Sequence, residues 1–196
     1  MTYQAGTQYE SYALRKQLVS GYETLIQEII ENEDAEAYFV NFMFRQLPGK
    51  ESTKIAIMTK EVTRFHGLLK RQIVRKPDKP GWRDLVPALI GAPDFPVPKS
   101  AKTDVRLFQV NDGLHFNAVV LLPPRFEAPQ ITGIRQSRLK ESLVVHVKRK
   151  ENEYLTDKLY RIHVTPLVKD TTMANYTLKA FVRGRISSAD ILILNR

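Results

Sequence analysis

The chain has 196 residues, no cysteine and a formal net charge of +9, and 43% of its residues are hydrophobic while 26% are charged. This balance is typical of one well-packed domain and excludes an intrinsically disordered chain, a disulfide framework and a Cys-based zinc site. No apolar stretch approaches the roughly 20 residues of a membrane-spanning helix. The first residues lack the pattern of a secretory signal, so we expect a cytoplasmic protein without a membrane partner.

The first part of the chain is acidic and the rest is basic. Residues 1–37 hold two basic and seven acidic side chains, so residues 38–196 carry a net charge of +14. A body this basic favours a polyanionic partner such as nucleic acid. Residues 8–32 are predicted to be an amphipathic helix, because apolar side chains recur at helical spacing at Leu14, Leu18, Tyr22, Leu25 and Ile29. We therefore expect an acidic helical arm, 1–37, before a main domain, 38–196.

The first half of the main domain contains a predicted strand, a long helix and a loop. Residues 38–45 are aromatic and β-branched, as in a strand, and a Pro48-Gly49 turn follows. A helix is predicted from a Ser52 cap to about residue 75, with an apolar stripe formed by Ile55, Met58, Val62, Phe65, Leu69 and Ile73. Residues 76–100 contain six prolines and are predicted to be a Pro-rich insertion with little regular structure.

The second half contains a predicted hairpin and then alternating elements. Asp112-Gly113 separates two apolar runs, about 103–111 and 114–122, and an Asp-Gly pair in this setting is a strong hairpin signal. The later predicted elements are an ambiguous helix or strand at 136–150, a strand at 158–167, a helix at 171–184 ended by Gly184, and a short strand at 191–194. This order predicts an α+β fold with an antiparallel-rich sheet and flanking helices.

Three patterns could carry chemistry. His115 and Asn117 lie two residues apart in a predicted strand, so both side chains project to one face and can ligate Mn²⁺ or Mg²⁺. Tyr176 and Lys179 are three residues apart on a predicted helix, so the ammonium can assist the phenol as a nucleophile. The third pattern is the aromatic strand 38–45. Each pattern by itself is also what an ordinary polar or apolar surface of a strand or helix shows.

Taken in this order, the patterns resemble the nicking-endonuclease domain of rolling-circle replication initiators, the HUH (His-hydrophobic-His) family. In that family an aromatic strand and a helix precede the strand with the histidine motif, and a later helix presents Tyr-x-x-Lys. The resemblance covers about residues 38–183 and is strongest over 105–122 and 162–179. It implies a split-βαβ (ferredoxin/RRM-like) nickase topology, here with an additional N-terminal helix.

The resemblance also implies roles for single residues. Tyr176 would attack single-stranded or hairpin DNA, leaving a 5′-phosphotyrosine and a free 3′-hydroxyl. Lys179 would position the phosphate or stabilise charge near the tyrosine. His115 and Asn117 would hold a divalent cation, Mn²⁺ or Mg²⁺, with Gln109 at the position of an acidic third ligand. Asn117 and Gln109 both depart from the family pattern, so a weak metal site is expected.

Such an enzyme would initiate replication of a plasmid, phage or integrated element. Because the sequence has no P-loop motif, any helicase or replication machinery would come from the host or another chain. The basic residues expected to contact DNA are Arg45, Lys60, Arg64, Lys70, Arg71, Arg161 and Arg183. The alternative is a catalytically degenerate nucleic-acid-binding module on the same fold, in which Phe39, Phe42 and Phe44 stack on bases. His66 and His146 are expected to be structural, and His163 to be structural or to contact DNA.

Overall fold

The computed structural model describes residues 10–95, 114–124, 139–168 and 173–194. Five strands form one antiparallel sheet in the order β4-β1-β3-β2-β5. Their bounds are β1 (Glu36–Phe44), β2 (Ala88–Asp94), β3 (His115–Leu122), β4 (Leu159–Pro166) and β5 (Leu192–Leu194). The predicted α+β class is confirmed. The split-βαβ nickase topology remains a prediction, which the position of β3 between β1 and β2 supports.

Helices cover both faces of this sheet. They are α1 (Tyr12–Glu33), α2 (Glu51–Ile73), α3 (Leu143–Arg149), α4 (Glu151–Tyr154), α5 (Met173–Thr177) and α6 (Lys179–Val182), with short 3-10 helices at Pro80–Leu85 and Ser188–Asp190. Side chains of α2, α3 and α4 pack on one face, which we call the closed face. Those of α1, α5 and α6 pack on the other, which we call the site face.

The closed face contains the larger core. The predicted stripe of α2 is confirmed, since Met58, Val62, Phe65, Leu69 and Ile73 are all fully buried there. The predicted Ser52 cap is wrong. The helix begins two residues earlier than that cap implies, at Glu51, and its N-cap, Lys50, makes no side-chain capping hydrogen bond.

Helix α1 is part of the fold rather than an arm in front of it. Ser11 caps it by accepting a hydrogen bond from the backbone N–H of Leu14 at 3.2 Å. Val19 and Ile26 are buried on the site face, whereas Leu14 and Leu25, which were predicted for the apolar stripe, are exposed. The helix carries apolar residues over more than one stripe, and packing against the sheet selected the one that includes Val19 and Ile26.

The prediction that residues 76–100 hold little regular structure is wrong for β2. This strand is buried along its whole length and pairs with β3 and β5. Pro93 is tolerated because β5 pairs only with Leu89–Gly91, so the missing N–H interrupts no ladder on that edge. The predicted strand 103–111 lies outside the described residues, and β2 takes the place that its hairpin pairing with β3 would need.

The remaining predictions are resolved within the described residues. The ambiguous segment 136–150 is helical over Leu143–Arg149, in α3, and Ser142 caps this helix. The predicted strand 158–167 is confirmed as β4. Gly184, with φ of +66°, ends α6, and the N–H of Arg185 bonds back to the carbonyl of Ala180 at 3.0 Å. No helix in the described ranges is long and apolar enough to cross a membrane.

Candidate active site

The strand register aligns polar side chains in two rows on the site face. One row crosses the sheet as Asp94, His115, Met43 and Arg161, and the next as Ala92, Asn117, Asn41 and His163. Because side chains two residues apart on a strand share a face, these two rows form one surface. The helices cover it on the β2 side, while on β4 the side chains of Arg161, His163 and Thr165 are exposed.

Tyr176 and Lys179 lie over this surface, on α5 and α6. The side chain of Tyr176 is 50% exposed, and its ring meets that of Phe39 of β1 edge-on, with centroids 5.4 Å apart. The ammonium of Lys179 lies 4.7 Å from the centroid of the Tyr176 ring and 2.6 Å from the Oδ2 of Asp94. Lys179 therefore connects the tyrosine to the polar rows of the sheet.

Asp94 is the residue that the sequence analysis missed. It ends β2 opposite His115, and its side chain is only 10% exposed. Gln109, which was predicted for the third ligand position, lies outside the described residues. A signal was present: the apolar run 88–92 between two prolines has the length of a buried strand, and an aspartate at its end points to a site at the sheet edge.

The surroundings of His115 lower the pKa of its imidazole and so favour the neutral form. Burial is the main effect that lowers its pKa, and the positive charge of Lys179 lowers it further, while Asp94 acts in the opposite direction. Its Nδ1 is buried and has no hydrogen-bond partner in the described part of the chain. A buried ring nitrogen without a partner lowers the stability of the fold, unless it accepts a hydrogen bond or binds a cation.

Asn117 is almost fully buried and pairs with another amide. Its Oδ1 accepts a hydrogen bond from Nδ2 of Asn41 at 2.6 Å, and its own Nδ2 faces Oδ2 of Asp94 at 3.5 Å. A concerted 180° turn of both amides would preserve the hydrogen bond between them. It would also turn the Asn117 oxygen toward Asp94, as a metal ligand requires.

Asp94, His115 and Asn117 fit a small divalent cation by their donor chemistry. A carboxylate, a neutral imidazole with an unpartnered nitrogen and an amide oxygen are ligands that Mn²⁺ and Mg²⁺ accept. The described residues contain no group of three or more His, Cys, Asp or Glu side chains placed to hold a metal. Among Asp94, His115 and Asn117, Asp94 would be the anionic ligand. A set with one carboxylate would bind a divalent cation more tightly than the all-neutral set expected with Gln109.

The cations predicted to contact DNA separate into two groups. Lys60, Arg64, Lys70 and Arg71 are on α2, which packs on the closed face, so the sheet separates them from Tyr176. Arg64 binds Glu61 and the backbone carbonyl of Tyr154, and Lys70 binds Asp78 at 2.9 Å. These residues are not part of the site.

The other three predicted cations are placed differently. Arg161 lies on the site face, in the same row as His115. Arg45 follows β1 and stacks on Tyr160, with its guanidinium carbon 5.6 Å from the ring centroid. Arg183 is exposed at the end of α6. Of this group, Arg161 has the register that places it in the row of His115, with Met43 of β1 between them.

Two of the three aromatic residues proposed to stack on bases are buried. Phe42 and Phe44 have no exposed surface and pack in the closed-face core, so the stacking proposed for them is wrong. Phe39 lies on the site face beside Tyr176. The alternation of strand residues between faces accounts for this division.

Comparisons with protein-family models, with curated proteins and with solved structures found no match. The function is therefore argued from the chemistry and geometry of these side chains.

Proposed function

We propose that the protein cuts and rejoins single-stranded DNA through a covalent bond to Tyr176. The observation that carries the proposal is the position of Lys179, whose ammonium contacts both the Tyr176 ring and the Asp94 carboxylate. The described contacts thus link a half-exposed phenol, a cation and candidate metal ligands from β2 and β3. Phosphoryl transfer from DNA to a tyrosine uses this set of groups.

In the proposed reaction, the phenol oxygen of Tyr176 attacks the scissile phosphorus. The bond from phosphorus to the 3′ oxygen breaks, and the 5′ phosphate remains esterified to the tyrosine. The phenol loses one proton and the leaving 3′ oxygen gains one, so acid and base balance. Attack by a 3′-hydroxyl on the same phosphorus reverses the step and rejoins the strand.

The side chains of the site would each stabilise this step. Lys179 lies close enough to the Tyr176 ring to stabilise the negative charge that develops on its oxygen and on the phosphate. Asp94, His115 and Asn117 would hold the divalent cation, Mn²⁺ or Mg²⁺. When bound, that cation supplies Lewis-acid polarisation of the phosphate.

The site-face side chains of β1, which are half-buried, and of β4, which are exposed, support single-stranded DNA as the substrate. Phe39 and Tyr176 offer aromatic surface, and Arg161 adds positive charge in the next rows of the sheet. Bases stack on aromatic side chains, and backbone phosphates are attracted to arginine. As a replication initiator of a plasmid, phage or integrated element, such a nickase would depend on a helicase from the host.

A catalytically degenerate DNA-binding module is the second candidate. Two contacts favour it: Lys179 forms an ion pair with the Asp94 carboxylate, and the Asn117 oxygen accepts a hydrogen bond from Asn41. A protein that had lost its metal would have internal contacts of this kind. The two functions differ in whether a covalent bond to DNA forms.

The test uses the full chain with Mn²⁺ and labelled single-stranded DNA. A nickase yields a covalent protein–DNA band on a denaturing gel, and Tyr176→Phe abolishes it, because the hydroxyl supplies the attacking oxygen. Affinity for DNA should change by less than about twofold, since phosphate attraction depends on the cations. Tyr160→Phe, which changes a phenol on β4, is the matched control and should keep the band. Binding without a band in the wild-type protein would support the degenerate module.

A further inference from the structure

The ammonium of Lys179 forms an ion pair with the carboxylate of Asp94, which a metal ion at this site would need as a ligand. Lys179 Nζ lies 2.6 Å from Asp94 Oδ2, and both side chains are partly shielded, with 29% and 10% of their surface exposed. At this distance the pair is a charge-assisted hydrogen bond. The described structure therefore already neutralises Asp94 with a cation from the protein itself.

A divalent cation and this ammonium compete for Asp94. Both cations are attracted to the same carboxylate, and two positive charges a few ångströms apart repel strongly where the surface is partly shielded from water. Metal binding must therefore break the ion pair or push Lys179 aside. Metal affinity in the absence of DNA is lowered by that cost.

Lys179 has a second position within reach. Its ammonium is already 4.7 Å from the centroid of the Tyr176 ring, and the side chain is flexible. A phosphodiester placed for attack by Tyr176 would bring a negative charge to this place. Lys179 could then exchange the carboxylate of Asp94 for the phosphate without leaving an unpaired charge.

We propose that Lys179 is an internal cation that closes the metal site until a DNA phosphate draws it away from Asp94. This inference rests on the proposed function and adds its order of assembly. Metal and DNA then bind cooperatively, and by linkage each raises the affinity for the other by the same factor. The device would restrict metal binding, and hence cleavage, to the protein that already holds DNA.

The test measures Mn²⁺ binding to the DNA-free full chain by titration calorimetry. Lys179→Met keeps an unbranched side chain and removes the charge, so it should bind Mn²⁺ about tenfold tighter or more than the wild type. Lys179→Gln should show the same direction and serves if the first variant does not fold. Lys60→Met removes an exposed lysine on the closed-face helix and should leave Mn²⁺ affinity unchanged.

Asp94→Asn identifies the site of binding. Added to Lys179→Met, it should remove the gained Mn²⁺ affinity, because the carboxylate is the anionic ligand. The inference is overturned if both Lys179 variants bind Mn²⁺ no tighter than the wild type, or if the gain survives Asp94→Asn. The covalent-band assay separates the two proposals. A Tyr176-dependent band together with unchanged Mn²⁺ affinity in the Lys179 variants would support the nickase and reject the proposal that Lys179 closes the metal site.

Discussion

At the scale of single residues, buried histidines hold parts of the fold together in their neutral form. His66 on α2 hydrogen-bonds the carbonyl of Pro87 at 2.8 Å, and this contact connects the helix to the start of β2. His146 lies between Glu141 and Tyr154. Burial is the main cause that lowers the pKa of both imidazoles. Charging either one would place a cation inside the structure.

This burial predicts that stability falls in mild acid. The unfolded chain has histidines with an ordinary pKa near 6.5, whereas the folded protein holds the pKa of His66 below its usual value. The unfolded state therefore binds more protons, and the free energy of unfolding decreases as pH falls below about 6.5. His66→Gln keeps an N–H donor but cannot titrate, so its unfolding free energy should depend less steeply on pH.

The measurement is urea unfolding of the wild type and His66→Gln at several pH values from about 7.5 to 5. Carboxylates titrate in both proteins, so the comparison between them isolates the histidine. His163→Gln is the matched control, because it makes the same substitution at an exposed side chain on β4. Parallel pH profiles for the wild type and His66→Gln would contradict the role given to His66.

At the scale of elements, β2 is the strand on which the site depends. It carries Asp94, and it approaches β3 so closely that a side chain at Gly91 has no room. A Cβ on Gly91 would lie 2.5 Å from the backbone oxygen of Asn117 and 2.7 Å from the Cβ of Ala118. These atoms belong to the paired strand and cannot move without disturbing the ladder next to Asn117.

Gly91→Ala is therefore expected to destabilise the fold by about 1–3 kcal/mol, as measured by chemical unfolding. Gly67→Ala is the matched control: this glycine is in α2, and a Cβ added there would have no atom of another element within 4 Å. Removing a helical glycine should stabilise the protein by up to about 1 kcal/mol. Equal effects of the two substitutions would show that the close approach of β2 and β3 is not rigid.

At the scale of the whole molecule, the sheet divides the positive charge between two sides. Arg161 lies on the site face in the same row as His115, whereas Arg71 is exposed on α2, which packs on the closed face. In the proposed function, the net positive charge would attract DNA from a distance, and the register of β4 would place Arg161 where it can contact a DNA strand that reaches Tyr176. The two arginines thus have different expected effects.

Arg161→Gln should weaken binding of a short single-stranded oligonucleotide several-fold and reduce the salt dependence of its affinity by about one phosphate contact. Arg71→Gln removes the same charge from the other side and should leave both quantities nearly unchanged. Fluorescence anisotropy at several salt concentrations measures both. A larger loss for Arg71→Gln would place single-stranded DNA on the closed face.

Several elements could be predicted because their signals are local. The stripe of α2, the strands β1, β3 and β4, and the Gly184 stop follow from periodicity and turn chemistry within a few residues. The sequence likewise shows the spacing of two residue pairs, Tyr176 with Lys179 and His115 with Asn117. In contrast, Pro87 before β2 and Pro93 within it obscured a strand whose apolar run is only five residues long.

The sequence by itself determined the class of fold, the positive charge and the two residue pairs, because each depends on neighbours along the chain. Only the tertiary structure decided that Asp94 lies opposite His115, that α1 packs on the sheet, and that the cations of α2 lie away from Tyr176. Strand order and helix placement depend on contacts between distant residues, whose free energy no local pattern records. For that reason Asp94 could be identified as a site residue only from the strand pairing, and not from the sequence motifs.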